Sequence, residues 1–191
     1  MKKLPKKTGE QIAFPDEFFA RELHINGRIN CTLYESLKKA LRVLNKKKGY
    51  IIIYIESGGG DFFAAKKIYQ IFKTSRNPVI GIAERNISSV AAMLVLQGCK
   101  YRLISAETKM FLHNIKQTVA FEYVPYQTHK KLSHGFLAEE FKKAEGYQDF
   151  VYEVLIDASG QNKEEVARIL LEEKILLPAE IIKFGFADRI L

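Results

Sequence analysis

Two hydrophobic periods alternate along the first part of the chain. Leu33, Leu37, Leu41 and Leu44 recur at three- and four-residue intervals, the spacing of a helix with one buried stripe. Thr32 reads as the N-cap of that helix. Lys46-Lys47-Lys48-Gly49 reads as its end, since cations and then glycine suit a helix C-terminus. Tyr50 to Ile55 is β-branched or aromatic throughout and apolar on both faces, as in a buried parallel strand. It runs into Glu56-Ser57-Gly58-Gly59-Gly60-Asp61, after which Ala64, Ile68, Ile71 and Phe72 return to helical spacing. Pro78 to Ala83 predicts a second buried strand, Glu84 to Ser89 a connection, and Val90 to Leu96 a very apolar helix. Glu22 to Ile25, Tyr101 to Ile104 and Met110 to Leu112 read as short strands. Strands and helices joined by short turns predict an α/β fold with a mostly parallel sheet.

After Ala120 the pattern is helical from about Tyr126 to Ala158, with Leu137, Phe141, Ala144, Val151 and Leu155 on one stripe. Unbroken, such a helix is about 50 Å long, against a radius of gyration of about 16 Å for a globule of this chain length. It would then project and need a partner for its stripe, most simply a second copy. Gly135 and Gly146 offer the alternative of two packed helices. A short helix from Lys163 to Leu171, a turn at Pro178 and a last helix before Phe184-Gly185-Phe186-Ala187-Asp188 close the chain. Residues 1–20 carry Pro5, Gly9 and Pro15 among basic residues and read as a flexible arm; 21–191 read as a single domain, with no repeat or linker.

Composition narrows the function classes. The 191 residues suffice for one core without disulfides. No apolar run reaches the roughly 18 residues of a membrane span, and the basic N-terminus lacks the apolar stretch of a secretory signal. Cys31 and Cys99 stand outside any CxxC pair, and four histidines are too few to suggest a metal centre. Both cysteines read as reduced thiols, so the chain reads as cytoplasmic. The net charge of +8 is spread in pairs and triplets, which suits a solvated surface better than a nucleic-acid or membrane face.

Three features carry chemistry. Gly58-Gly59-Gly60 lies between a strand and a helix, where backbone N–H groups bind a phosphate or the oxyanion of an acyl intermediate. It lacks the residues of a P-loop or of a dinucleotide fingerprint. Ser88-Ser89 opens the apolar helix, either as a cap or as a nucleophile met by helix N-terminal amides. His113 ends the strand Met110-Phe111-Leu112, either as a satisfied buried group or as a general base.

Taken together these segments resemble the proteolytic subunit of Clp protease. Tyr54-Ile55-Glu56-Ser57-Gly58-Gly59-Gly60 resembles its strand and SPGG turn, and Ser89-Val90-Ala91-Ala92-Met93-Leu94 with Gly98-Cys99-Lys100-Tyr101-Arg102 its nucleophile helix. Lys109 to Asn114 resembles the histidine strand and Gly185 to Leu191 the closing segment, in colinear order from Glu22 onward. The resemblance implies a ClpP/crotonase-like spiral of β-β-α units with a protruding handle helix at about 121–158. It implies Ser89 as nucleophile, His113 as base, and Gly60 and Val90 as oxyanion donors. The position of the family's aspartate falls on Glu173, one methylene longer; a backbone shift, Glu172 or a carbonyl could meet the same need.

Gly58 replaces the family's proline, Glu84-Arg85-Asn86-Ile87 its small residues, and Lys116 to Phe121 its glycine-rich groove strand. Asn114-Ile115 lacks the proline that follows the histidine, and the N-terminal arm is unlike the family's axial loop. The implied activity is peptide hydrolysis through an acyl-enzyme, with no cofactor and no metal. The implied partners are further copies in rings, an AAA+ ATPase unfoldase and unfolded polypeptide. Two alternatives are a catalytically inactive ring subunit and a crotonase-fold acyl-CoA enzyme, for which Glu56 and Asp61 are the nearest carboxylates.

Overall fold

The computed structural model describes residues 21–116 and 126–191, and for 126–138, 140 and 141 the backbone alone. The expected arm at 1–20, the groove segment from Gln117 to Phe121 and the start of the handle before Tyr126 lie outside the described residues. Among these, β1 (Glu22–Asn26), α1 (Cys31–Leu44), β2 (Ile51–Ser57), α2 (Phe62–Lys73) and β3 (Val79–Ser88) alternate along the chain. A π-helical turn (Ala91–Val95) and one α-turn, α3 (Leu96–Gly98), lead to β4 (Tyr101–Ile104) and β5 (Lys109–Phe111). Then follow α4 (Tyr126–Ser159), α5 (Lys163–Glu172), β6 (Ile175–Leu176), α6 (Pro178–Phe184) and β7 (Arg189–Ile190).

The sheet runs β1-β2-β3-β4-β7, with β5 on β3 and β6 on β5; among the described residues only the β5–β6 pair is antiparallel. Both faces of β2 are buried, which is why it lacks polar alternation. Ile51, Ile53 and Ile55 enter the main core beneath the helices, while Ile52 joins Ile80, Ile82 and Leu103 on the other side.

Three local expectations are corrected. The cap of α1 is Asn30, not Thr32: the Asn30 carboxamide oxygen accepts from Leu33 N–H at 2.9 Å, and Thr32 lies inside the helix. The helix stops at Leu44, before the lysines. Asn45 caps it and accepts from Ser75 Oγ and Asn77 N–H, so tertiary bonds end the helix ahead of the basic run. Third, Glu84 to Ser88 is strand rather than connection. β4 covers only Ile80 to Ala83, leaving Asn86 to Ser88 to pair with β5.

The helix over Tyr126–Ser159 is continuous through Gly135 and Gly146. Within its described side chains, burial is confined to Val151, Val154 and Leu155, which pack into the core. Glu139, Lys142, Lys143, Glu145 and Gly146 are exposed. Cys31 is exposed and Cys99 buried, and both are free thiols.

Candidate active site

The sheet topology collects the three chemical segments. The glycine turn leaves the C-terminal end of β2, Ser89 follows the end of β3, and His113 lies two residues past the end of β5. These strands are adjacent and parallel: Ser57 pairs with Ile87, and Ser88 with Phe111. Segments far apart in sequence therefore meet at one sheet edge, where open α/β folds place their ligands. Ser89 N–H continues the ladder, donating to Phe111 O at 2.8 Å.

Ser89 is half-buried and has φ 55°, a left-handed conformation that few non-glycine residues adopt. Serine at a sharp strand-to-helix turn of this kind exposes its Oγ. Its carbonyl accepts from Ala92 N–H at 3.0 Å and Met93 N–H at 2.8 Å, opening the π-helical turn. The residue that caps the π-helical turn is Val90, which has no side-chain cap bond. Val90 stands in the first turn, where an N–H has no intrahelical acceptor.

The glycine turn is fitted against the serine. A Cβ on Gly59 would lie 2.6 Å from Ser89 Cβ, and Gly59 holds φ 97°. Buried Ser57 fixes this turn: its hydroxyl donates to Gly27 O at 2.6 Å and accepts from Gly59 N–H at 3.1 Å. Gly60 bridges to Ile29, but the two bonds of that bridge use Gly59 O and Asp61 N–H. In a parallel bridge the central residue's own N–H faces away, so the Gly60 amide is turned from Ile29. Asp61 caps α2 through Ala64 N–H at 2.7 Å.

His113 has a carbonyl at its Nδ1, one of the alternatives to a Glu173 carboxylate. Its Nδ1 lies 2.5 Å from Asn114 O. A carbonyl only accepts, so Nδ1 carries the proton and Nε2 is the basic nitrogen of the neutral ring. Among the described residues no hydrogen bond joins His113 to Ser89 Oγ or to Glu173. Glu173 lies two residues before β6, whose ladder with β5 pairs Met110 with Leu176 and Phe111 with Ile175. There Glu173 caps α5 at φ 44°, and its carboxylate pairs with Lys116 Nζ at 2.9 Å. Glu172 is taken by Arg168 and, at 3.6 Å, by Lys174.

Sequence reading missed three contributors. Ser57 looked like part of a turn, yet its hydroxyl sets the turn. Lys116 stands in the sequence only as the first residue of the segment that replaces the groove strand, yet it pairs with the Glu173 carboxylate. Gln148 of α4 accepts from Ile115 N–H at 2.7 Å and ties the segment after His113 to the long helix. Ser57 and Lys116 fall within segments the resemblance singles out, but the role of each of the three rests on a contact that only the fold creates.

The family model for Clp proteases matches residues 16–191. A curated relative, the ATP-dependent Clp protease proteolytic subunit 2 of Treponema denticola, is 23% identical over 96% of this chain and 88% of its own length. Among solved structures, a ClpP1 point mutant from Listeria monocytogenes superimposes with a TM-score of 0.76 at 19% identity, over 90% of this chain and 91% of that one.

Proposed function

Because the chain belongs to the Clp protease family, we propose that it is a serine peptidase subunit of a ring-shaped, self-compartmentalised protease. Ser89 attacks the scissile carbonyl while His113 Nε2 takes its hydroxyl proton. The amides of Gly60 and Val90 receive the oxyanion. The imidazolium then protonates the leaving amine, and water repeats the steps to release the acyl group. The observation that carries this reading is that the segments bearing Ser89, His113 and the glycine turn leave the ends of three neighbouring parallel strands.

The third position is filled in two ways in this reading. Asn114 O orients the ring and sets its tautomer, but supplies only a dipole to the imidazolium. Glu173 supplies a full charge once its carboxylate leaves Lys116. The chain is read as a cytoplasmic protein working with an AAA+ unfoldase on unfolded polypeptide; the relative from T. denticola carries "ATP-dependent" in its name. Among the described residues no helix is long and apolar enough to cross a membrane.

A second reading, a ring subunit that does not hydrolyse peptides, is favoured by the engaged His113 Nδ1 and Glu173. A fluorophosphonate probe separates the two. Labelling of wild type that disappears in Ser89→Ala and falls by several orders of magnitude in His113→Ala supports the peptidase. An unlabelled wild type supports the inactive subunit.

A further inference from the structure

We propose that Gln97 is a positioning residue for Ser89, clamping the turn that follows the nucleophile onto the junction between Arg102, Asp188 and the end of α4. The proposal rests on reading Ser89 as the nucleophile.

One peptide unit, Ala92 C=O to Met93 N–H, links Gln97 to Ser89. Its N–H donates to Ser89 O at 2.8 Å. Its C=O accepts from Gln97 Nε2 at 2.9 Å. This plane therefore sits between the strained serine and a side chain, and fixing its carbonyl fixes the donor that holds Ser89 O. Every side chain of the turn is buried in the core, so packing holds its position while the Gln97 bond orients this peptide plane. The turn is π-helical, with Leu96 N–H reaching back to Ala91 O, and π-helical turns are rare and often occur at functional sites.

Gln97 itself is anchored. Its residue is 1% exposed, and a buried carboxamide is costly unless its polar atoms are paired. Its second donor bond goes to Phe186 O at 3.1 Å, and its Oε1 accepts from Arg102 Nη1 at 2.7 Å. The same Arg102 nitrogen donates to Ala158 O and Gly185 O, each at 3.1 Å. The rest of the guanidinium pairs with Asp188, whose carboxylate also accepts Arg102 N–H at 2.7 Å. The Ser89 turn is thus tied to the last residues of α4 and to the closing segment through one side chain. A purely structural amide would satisfy its neighbours without reaching the peptide that holds Ser89 O.

The test compares fluorophosphonate inactivation of wild type, Gln97→Glu and Gln97→Met, resolving the maximal rate from the half-saturating concentration. Glutamate keeps an ionised acceptor for Arg102 but removes the donor to Ala92 O; methionine removes both. Both variants should lower the maximal rate about tenfold with half-saturation unchanged within about twofold, the pattern of a group acting on the reacting centre rather than on binding. Wild-type kinetics in Gln97→Glu overturn the proposal, as does a loss confined to half-saturation. If Gln97→Met does not fold, Gln97→Glu decides alone. An unlabelled wild type overturns the nucleophile reading and this proposal with it, whereas a labelled wild type with an equally reactive Gln97→Glu overturns this one only.

Discussion

A left-handed serine costs on the order of 1–2 kcal/mol relative to a relaxed backbone. At Ser89 that cost is met by a ladder bond from its N–H and two bonds to its carbonyl, and by glycine on the facing turn. Gly59 is where this arrangement is most exposed to substitution. An added methyl would meet Ser89 Cβ at 2.6 Å and Ser88 O at 3.1 Å, from a residue at φ 97°. Gly59→Ala should therefore lower stability by about 1–3 kcal/mol, read by denaturant melts. Phosphonate labelling of Ser89 should fall at least tenfold; labelling at the wild-type rate would separate the turn from the site.

Lys116 makes the opposite prediction. Its ion pair with Glu173 is solvent-exposed, with side chains 63% and 39% accessible, so it is worth about 0.2–1 kcal/mol. Lys116→Gln should release the carboxylate and raise the labelling rate two- to threefold, and Glu173→Ala in that background should cancel the gain. A fall in rate, or a gain that survives Glu173→Ala, would remove Glu173 from the third position.

At the level of elements, the segment behind the site is held by helix ends. Pro178 opens α6, and Glu180 accepts Leu177 N–H at 3.1 Å, one residue beyond β6. That backbone bond, and then Lys174 at 3.1 Å, hold the Glu180 carboxyl below its ordinary value of 4.5. A depressed carboxyl stabilises the fold above its unfolded pKa and loses that contribution as pH falls through the folded one. The melting-temperature gap between wild type and Glu180→Ala should be constant near neutrality and close below about pH 4.5. A gap that does not narrow at all as the pH falls below the ordinary carboxyl value would show the carboxylate bonds to be irrelevant.

Elements of this kind were legible in the sequence to different degrees. β2 was visible because burial on both faces leaves an unbroken apolar run. α4 was visible because its stripe keeps helical spacing past two glycines. Hidden instead were the ends set by tertiary contacts: Asn45 bonding Ser75 and Asn77, and β3 running on because β5 lies beside Asn86 to Ser88. The site divides the same way. Ser89 and His113 stood out beside glycines and apolar runs, while the bonds of Lys116 and Asn114 O depend on side-chain and backbone positions that no spacing encodes.

For the whole molecule, the proposed ring makes the most exposed claim. α4 spans 34 residues, about 50 Å, yet within its described side chains only Val151, Val154 and Leu155 are buried in the core. An exposed apolar surface lies around β6. Leu171 is 70% exposed, Ile175 56% and Leu177 53%, all within one short stretch around β6. Single exposed apolar side chains are unremarkable, but three in one stretch suit the surface that the proposed ring would cover. β6 also bonds only to β5, leaving its outer edge open among the described residues. A second copy of the chain would cover both features. Light scattering at micromolar concentration should therefore give a mass several times the 21.9 kDa of one chain. Leu171→Glu with Ile175→Lys replaces exposed positions only, so the fold should persist while the mass falls toward that of one chain. A wild-type monomer would overturn the ring. A double variant with unchanged mass would move the interface away from β6 and leave the stretch beside Glu173 open to substrate instead.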